Sequence, residues 1–505
     1  MIILCSNGLT GSRLREAAGR FAKPGGRAAL VVTADPEYRE KNYHVPRSRQ
    51  ELESLGLAVE VFDFDLQPPE ALLSCDVVEL MGGNPYYLLD AIRKHGGEEP
   101  LRQIGRKGLL IGWSAGALAL GPSLGLVDQY SPELNTVGLT DLRGLGLTQV
   151  QVLPHYSRFH TRYEDFEARC QAYEQRQGCQ VYRLDDGEGL LLDGQGQVVE
   201  ELRSPLRVNV AGVDFRNPVI AASGTFGFGR EYAELYPLSE LGGVSCKGTT
   251  LHERPGNPPP RVTETPGGML NAVGLQNPGV DHFIEKDLPW LSQQGTKIIA
   301  NLAGSAVEDY CQTAEKFNGT AVDMVELNIS CPNVKEGGVQ FGVTAQGVEG
   351  VTKAVRKACE KPLMVKLSPN VTDISEMALA AEAAGADAVS LINTLTGMRI
   401  DINTRRPIIR NNTGGLSGPA VLPVALRMVW QTAQKVKIPI VGLGGISTWQ
   451  DAVEMLLAGA SAIQVGTAIF TDPYAPIKIR DGLLEYMEKN GVRSVSELTG
   501  GVRPW

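Results

Sequence analysis

The chain has no C-x-x-C pair and no dense cysteine spacing; its eight cysteines, at positions 5, 75, 170, 179, 246, 311, 331 and 359, are scattered over 505 residues. That scatter argues against a disulfide framework, a structural zinc site or an iron–sulfur cluster in this chain, and a reducing cytoplasm is the compartment expected. Long apolar runs are missing as well. The longest nearly apolar stretch, Gly108 to Leu120, is too short to span a bilayer and is interrupted by Gly112, Ser114 and Gly116, so no membrane segment is expected. The start, Met1-Ile-Ile-Leu-Cys-Ser-Asn-Gly, lacks a basic n-region and reads as a buried strand rather than a signal peptide. Positive charge is in deficit. A formal net charge of -9, with no Lys/Arg cluster interleaved with aromatics, gives no footprint for nucleic acid, and no metal site is expected. Neither an internal repeat nor a low-complexity tract is present.

What the chain does have is enough apolar content, 43%, for two cores, and a length beyond one ordinary domain. The polar stretch Asp193 to Pro205 reads as the linker, dividing residues 1–198 from 206–505, and Leu206 to Val213 reads as a short hairpin opening the second part. In that second part, eight β-type runs each end in a residue suited to chemistry. Val219 to Ala222 leads into Ser223-Gly224, Gly243 to Cys246 into Lys247, and Ile298 to Ala300 into Asn301. Val322 to Leu327 leads into Asn328, and Leu363 to Val365 into Lys366. Val389 to Ile392 precedes Asn393-Thr394, Pro439 to Gly442 precedes Gly444-Gly445, and Ala462 to Val465 precedes Gly466-Thr467. Helical periodicity fills most intervals, as over Val348–Ala358, Asp373–Ala384, Pro419–Val436 and Thr448–Leu457. Eight β/α units predict a closed parallel barrel whose functional groups lie at the strand C-termini.

The glycines after the seventh and eighth strands offer bare N–H groups where phosphate is commonly bound, which favours a phosphorylated cofactor. Gly414-Gly-Leu-Ser-Gly418 reads as a further close-approach loop after the sixth strand, and Lys366 could set a cation beside a reduced, anionic ring. The fourth strand opens into Asn328-Ile-Ser-Cys331-Pro-Asn333 and then a Gly-rich loop, Lys335 to Gly342, so the Cys331 thiol is placed for proton transfer or attack. A free cysteine is most often a small buried apolar residue. Polar neighbours at a strand end make that reading a poor fit for Cys331, and a good fit for Cys246, which lies inside a strand.

Five stretches carry a family resemblance: Ala221 to Gly229, Asn271 to Gly279, Asn328 to Gly338, Asn393 to Gly397 and Thr413 to Pro419. In order and together, they make the region from Leu206 onward similar to dihydroorotate dehydrogenases, specifically the catalytic subunit of the NAD-linked two-subunit type. The resemblance implies FMN on the barrel rim, contacted by Ala222, Ser223, Gly224, Lys247, Asn301, Lys366, Gly418, Gly444, Gly445, Gly466 and Thr467. It implies dihydroorotate or orotate stacked on the flavin and held by Lys247, Asn271, Asn328, Asn333, Asn393 and Thr394 with backbone groups of Val273, Gly274 and Leu275. Cys331 would take the C5 proton as hydride leaves C6. Cys at the base position, with no N-terminal membrane-associating helix, speaks against the quinone-reducing type. Val334-Lys-Glu-Gly-Gly338 resembles the type that passes electrons to NAD through a separate subunit carrying FAD and an iron–sulfur cluster, around a homodimer core. A dihydropyrimidine dehydrogenase-like barrel is the main rival, and Asn333, where that relative typically has His, weighs against it.

Toward the N-terminus, strands near 2–5, 28–33, 57–62, 75–81 and 108–111 alternate with helices, predicting a doubly wound α/β sandwich. Gly112-Trp-Ser114-Ala-Gly116 sits at a strand-to-helix turn as a G-x-S-x-G nucleophile elbow, though the same residues would also serve simple helix packing. A base is available in His155, which ends the strand Thr148 to Leu153; the alternative is a capped strand end, and His160 reads as a loop residue. With Met81-Gly-Gly83-Asn-Pro85, these pieces resemble the peptidase E (aspartyl dipeptidase) family. The resemblance implies Ser114 as nucleophile, His155 as base, oxyanion N–H groups from Gly83 and Ala115, and hydrolysis of Asp-X dipeptides. For the triad acid Asp128 and Glu133 are both available, with Asp128 preferred; without an acid the domain would be a non-catalytic interaction module.

Overall fold

Strands that are buried at every position need cover on both faces, and the N-terminal part of the chain is built on them. The computed structural model describes residues 1–163, 165–330 and 339–505, in two units, Met1–Ser204 and Pro205–Trp505. In the first unit β1 (Ile2–Cys5), β2 (Arg27–Val31), β3 (Ala58–Phe62), β4 (Val77–Leu80) and β5 (Leu109–Trp113) are parallel, a short pair β6 (Gln151–Leu153) and β7 (Val181–Arg183) stands apart, and β8 (Gly189–Leu192) and β9 (Val198–Leu202) extend the sheet antiparallel. The sheet order is β3-β2-β4-β5-β1-β8-β9. Successive side chains of a strand point to opposite faces. Accordingly Ile2 and Leu4 join one core, while Ile3 and Cys5 join the other, the two faces of a doubly wound sandwich.

The stretch Asp193–Pro205 is not a linker. Residues 198–202 form β9, the edge strand, and Leu202 is fully buried. Edge strands bury only one face, so their sequence is polar enough to pass for a connector. A fragment ending at Ser204 is expected to unfold cooperatively, whereas one ending at Gln197 melts at a clearly lower temperature because β8, still paired with β1, loses its outer neighbour and becomes the sheet edge; equal melting temperatures for the two would show that β9 contributes nothing.

In the second unit the hairpin β10 (Val208–Val210) and β11 (Val213–Phe215) is followed by β12 (Val219–Ala221), β13 (Gly243–Ser245), β14 (Val262–Thr265), β15 (Gly268–Asn271), β16 (Lys297–Leu302), β17 (Met324–Asn328), β18 (Leu363–Lys366) and β19 (Ala388–Leu391). Then come β20 (Leu395–Gly397), β21 (Ile400–Asp401), β22 (Arg406–Pro407), β23 (Gly414–Ser417), β24 (Ile440–Leu443) and β25 (Ala462–Val465). Eight of these, β12-β13-β16-β17-β18-β19-β24-β25, close into a parallel barrel, with β25 pairing back onto β12. Each of the eight runs read from the sequence is one of its strands. Gly414–Gly418, expected as a loop, is instead mostly β23, which belongs to a four-stranded sheet ordered β14-β15-β23-β20; its two glycines let Asn271 and Thr394 lie against the strand.

Alternation orders the barrel interior in layers. Ile220, Ile299, Met324, Met364, Ala388, Val441 and Ala462 form one apolar layer, plugged from below by Val210, Val213 and Phe215 of the hairpin. Two residues further along the strands the same inward face carries Asn301, Glu326, Lys366, Ser390 and Gln464, all buried. A polar floor therefore sits on an apolar one. Among the described residues no helix is long and apolar enough to cross a membrane.

Candidate functional site

Because every barrel strand runs the same way, the eight strand C-termini meet at one mouth, and a cavity of about 490 Å³ opens there. Ala222, Ser223 and Gly224 enter it after β12, Lys247 after β13, and Asn301 from the end of β16. Lys366 comes from β18, Gly444 and Gly445 follow β24, Gly466 and Thr467 follow β25, and Gly418 follows β23. Asn271, Val273, Gly274, Leu275, Asn328, Asn393 and Thr394 line the same cavity. Cys331 and Asn333 lie outside the described residues. Cys246 is wholly buried, and burial pushes its thiol well up.

The polar groups are joined. Asn328 Nδ2 donates to Asn301 Oδ1 at 3.2 Å, Asn328 Oδ1 accepts from the Ser330 hydroxyl at 3.1 Å, and Asn393 Nδ2 donates to Ser330 Oγ at 2.8 Å. Lys366 Nζ donates to Ser223 Oγ at 3.2 Å and stands 3.7 Å from Glu326. Glu326 opposes its own ionisation by burial, but the Lys366 ammonium and donors from Ser245, Gln464 and Ser390 outweigh that and hold its carboxyl below the usual range. Glu326, Gln464 and Ser417, whose hydroxyl accepts from Thr467 at 2.8 Å on the cavity rim, are not singled out by the sequence, and Ser330 is noted there only as a polar neighbour of Cys331. A Glu inside an otherwise apolar strand, Met324-Val-Glu-Leu, was the signal available for the first of them.

In the first unit Ser114 sits between β5 and the helix Ala115–Leu120 at φ 50° and ψ -112°, a conformation that costs an L-residue about 1–3 kcal/mol. Flanking glycines make the turn sterically feasible. A Cβ on Gly116 would lie 2.2 Å from the Leu80 carbonyl oxygen, and one on Gly112 would lie 2.8 Å from Gly116. Cys5 pairs with Trp113, so Ser6 and Ser114 emerge side by side at the carboxyl ends of β1 and β5. Gly83 is at φ 146°, where a Cβ would strike the Ala34 carbonyl; the N–H groups of Gly83 and Ala115 donate to no other described residue.

His155 reaches the same sheet end. Its backbone N–H donates to Ser6 Oγ at 2.9 Å, and its Nδ1 lies 2.7 Å from Asp186 Oδ1. Asp186 also accepts from the Ser6 hydroxyl at 2.7 Å and pairs with Arg158 at 2.5 Å. Burial works against its ionisation, yet His155, Ser6 and Arg158 hold its carboxyl below the ordinary value. Asp128 is not the partner of His155. Its Oδ1 accepts from the Tyr86 hydroxyl at 2.9 Å, while the acid beside the imidazole comes from the Asp185-Asp-Gly-Glu188 turn that leads into β8. Burial, first, and that contact with Asp128 raise the Tyr86 hydroxyl. No direct hydrogen bond joins Ser114 to His155.

Residues 2–199 match peptidase family S51, and residues 205–487 match the dihydroorotate dehydrogenase family. The catalytic subunit of dihydroorotate dehydrogenase B (NAD(+)) from Bacteroides thetaiotaomicron is 57% identical over 298 residues, covering 59% of this chain and 98% of that protein. The subunit of the same name from Alkaliphilus metalliredigens is 57% identical over 297 residues, again 59% and 98% of the two chains. Among solved structures, a dihydroorotate dehydrogenase from Eimeria tenella in complex with ferulenol superposes with a TM-score of 0.50 at 22% identity, covering 59% of this chain and 88% of that one, a likeness of fold. A barrel whose strand ends converge on one amide-rich cavity, and whose sequence matches that family over more than half the chain, makes this protein a member of the dihydroorotate dehydrogenase family.

Proposed function

We propose that the barrel oxidises dihydroorotate to orotate with bound FMN, in pyrimidine biosynthesis, and passes the electrons to NAD through a partner subunit carrying FAD and an iron–sulfur cluster, around a homodimer core. The observation that carries this reading is the joint lining of one cavity by two lysines, five side-chain amides and a glycine rim. The residues fit FMN. The N–H groups of Gly445, Gly466 and Thr467 donate to no other described residue and suit a phosphate, and a Cβ on Gly445 (φ 81°) would lie 2.6 Å from the Leu422 nitrogen. Gln464 lines the cavity with a buried Oε1 that has no partner among the described residues, an acceptor for a ring N–H. When bound, FMN supplies the hydride acceptor. Asn271, Asn328, Asn333, Asn393 and Thr394 then orient a planar ring bearing imide and carboxylate groups, with Lys247 beside it. Cys331 is the base that removes the C5 proton, so proton and hydride leave the two ends of one carbon–carbon bond.

Bleaching of the flavin absorbance on anaerobic addition of dihydroorotate tests cofactor and substrate together; a purified protein without flavin, or a flavin that stays oxidised, would sink the reading. The purified chain alone is expected to reduce its flavin with dihydroorotate yet turn over poorly with NAD, since a nicotinamide stacked on the flavin would compete with the pyrimidine. Brisk NAD reduction by the single chain defeats the partner subunit.

For the first unit we infer a serine hydrolase acting on Asp-X dipeptides, working as a separate module. The His155–Asp186 pair at the sheet end that carries the strained Ser114 favours it over a non-catalytic module. In this reading Ser114 attacks, His155 moves its proton, Asp186 holds the imidazole, and Gly83 and Ala115 donate to the oxyanion.

A further inference from the structure

The buried charge in the barrel floor has no place in the reaction as described. Glu326 is the central residue of barrel strand β17, fully buried, and its carboxylate accepts four hydrogen bonds from four different strands: Ser245 Oγ at 2.7 Å and Asn301 Nδ2 at 2.6 Å on one oxygen, Ser390 Oγ at 2.8 Å and Gln464 Nε2 at 2.7 Å on the other. Lys366 Nζ, on a fifth strand, is 3.7 Å away. Three of these neighbours, Asn301, Lys366 and Gln464, also line the cavity. A carboxylate placed this deep is tolerated only when paired and fully hydrogen-bonded.

An ionised carboxylate accepts and cannot donate. Facing it, the amides of Asn301 and Gln464 must turn their NH₂ groups down toward Glu326 and their carbonyl oxygens up toward the cavity. The consequence passes upward. Asn301 Oδ1, so oriented, accepts from Asn328 Nδ2, which leaves Asn328 Oδ1 as the acceptor for the Ser330 hydroxyl; Gln464 Oε1 is left without a partner among the described residues. One anion thus dictates which ends of the cavity amides donate and which accept, over two links of a relay. It also balances the ammonium of Lys366.

We propose that Glu326 is a positioning residue of the cofactor and substrate bed: its carboxylate sets the donor and acceptor polarity of the Asn301, Asn328 and Gln464 amides and offsets the Lys366 charge beneath the flavin. This rests on the FMN and dihydroorotate reading of the cavity. The uncharged amide of Glu326→Gln presents one acceptor and one donor to four donors, so the relay loses its single polarity, and Lys366 is left uncompensated.

The test uses the flavin-loaded protein, with Glu326→Gln, Lys366→Met and the double variant. Glu326→Gln should raise the flavin midpoint potential, because an unbalanced cation stabilises the reduced, anionic ring. Lys366→Met should lower it, and the two shifts should cancel in the double variant, a sign pattern that loss of packing does not produce. Orotate, followed by its perturbation of the flavin spectrum, should bind roughly tenfold more weakly in both variants that lack the Glu326 carboxylate, the scale of one buried hydrogen-bonding group left unmatched. Should Glu326→Gln fail to fold, the double variant, which buries no net charge, carries the orotate comparison against Lys366→Met alone. Unchanged potential and unchanged orotate affinity on removing Glu326, in protein that still binds flavin, overturn the proposal. A wild-type protein that holds no flavin, or whose flavin dihydroorotate does not bleach, instead overturns the reading on which it rests.

Discussion

Cys331→Ala should oxidise dihydroorotate about 10²- to 10⁴-fold more slowly than the native protein while keeping its FMN, the range general-base assistance supplies. On this reading no other described cavity residue is a suitable base: the amides are neutral, Lys247 and Lys366 are cations, and Glu326, buried in the polar floor, already accepts from four donors. Ser330, the residue before Cys331 in the chain, is fully buried and hydrogen-bonded to both Asn328 and Asn393. Ser330 is therefore held by two amides that line the cavity. Stopped-flow reduction of the flavin separates the chemical step from acceptor turnover. Cys331→Ser should retain a residual rate that rises with pH, a hydroxyl being the poorer base. Loss of flavin in Cys331→Ala would assign the residue to structure.

The second large effect is expected in the first unit. Ser114→Ala should abolish hydrolysis of Asp-X dipeptides, and Asp186→Asn should cost about 10⁴-fold in kcat, because an amide in place of the carboxylate favours the wrong imidazole tautomer. Asp128→Asn should leave kcat nearly unchanged, its carboxylate being engaged by Tyr86. A full loss in Asp128→Asn with activity retained in Asp186→Asn would reverse that assignment. The pH dependence has a definite sign. The Asp186 carboxyl is held below its ordinary value in the folded state, so its stabilising contribution is complete above the unfolded value of about 3.9 and fades as pH falls through the lower folded one. Neither Ser114→Ala nor Asp186→Asn should alter flavin reduction by dihydroorotate.

Much of the architecture was legible because local pattern and topology agree. Each barrel strand announces itself as an apolar run broken by a polar or glycine residue at its C-terminus, and parallel closure then sends all those residues to one mouth. The rim residues from Ala222 to Thr467 share one cavity for that reason. The tight strand-to-helix turn at Ser114 was equally readable, since G-x-S-x-G places its two glycines four residues apart, and both make close backbone approaches here.

Sequence by itself determined the two fold classes, the strand ends that meet at one mouth, and the residue types that line the cavity there. Tertiary structure alone decided which polar group meets which. Asp186 is 31 residues from His155 and sits in an ordinary-looking turn, while Asp128 looked the better candidate by position; only the placement of β8 beside β1 brings Asp186 to the imidazole. Glu326 looked like one polar residue in an apolar strand, yet its partners lie 25 to 138 positions away, on four other strands. β9 looked like a linker because an edge strand exposes one face. Periodicity is a local property of the chain and survives in the sequence. Hydrogen-bond partnership depends on which distant backbones the fold brings to within about 3 Å, and no stretch of sequence carries that information alone.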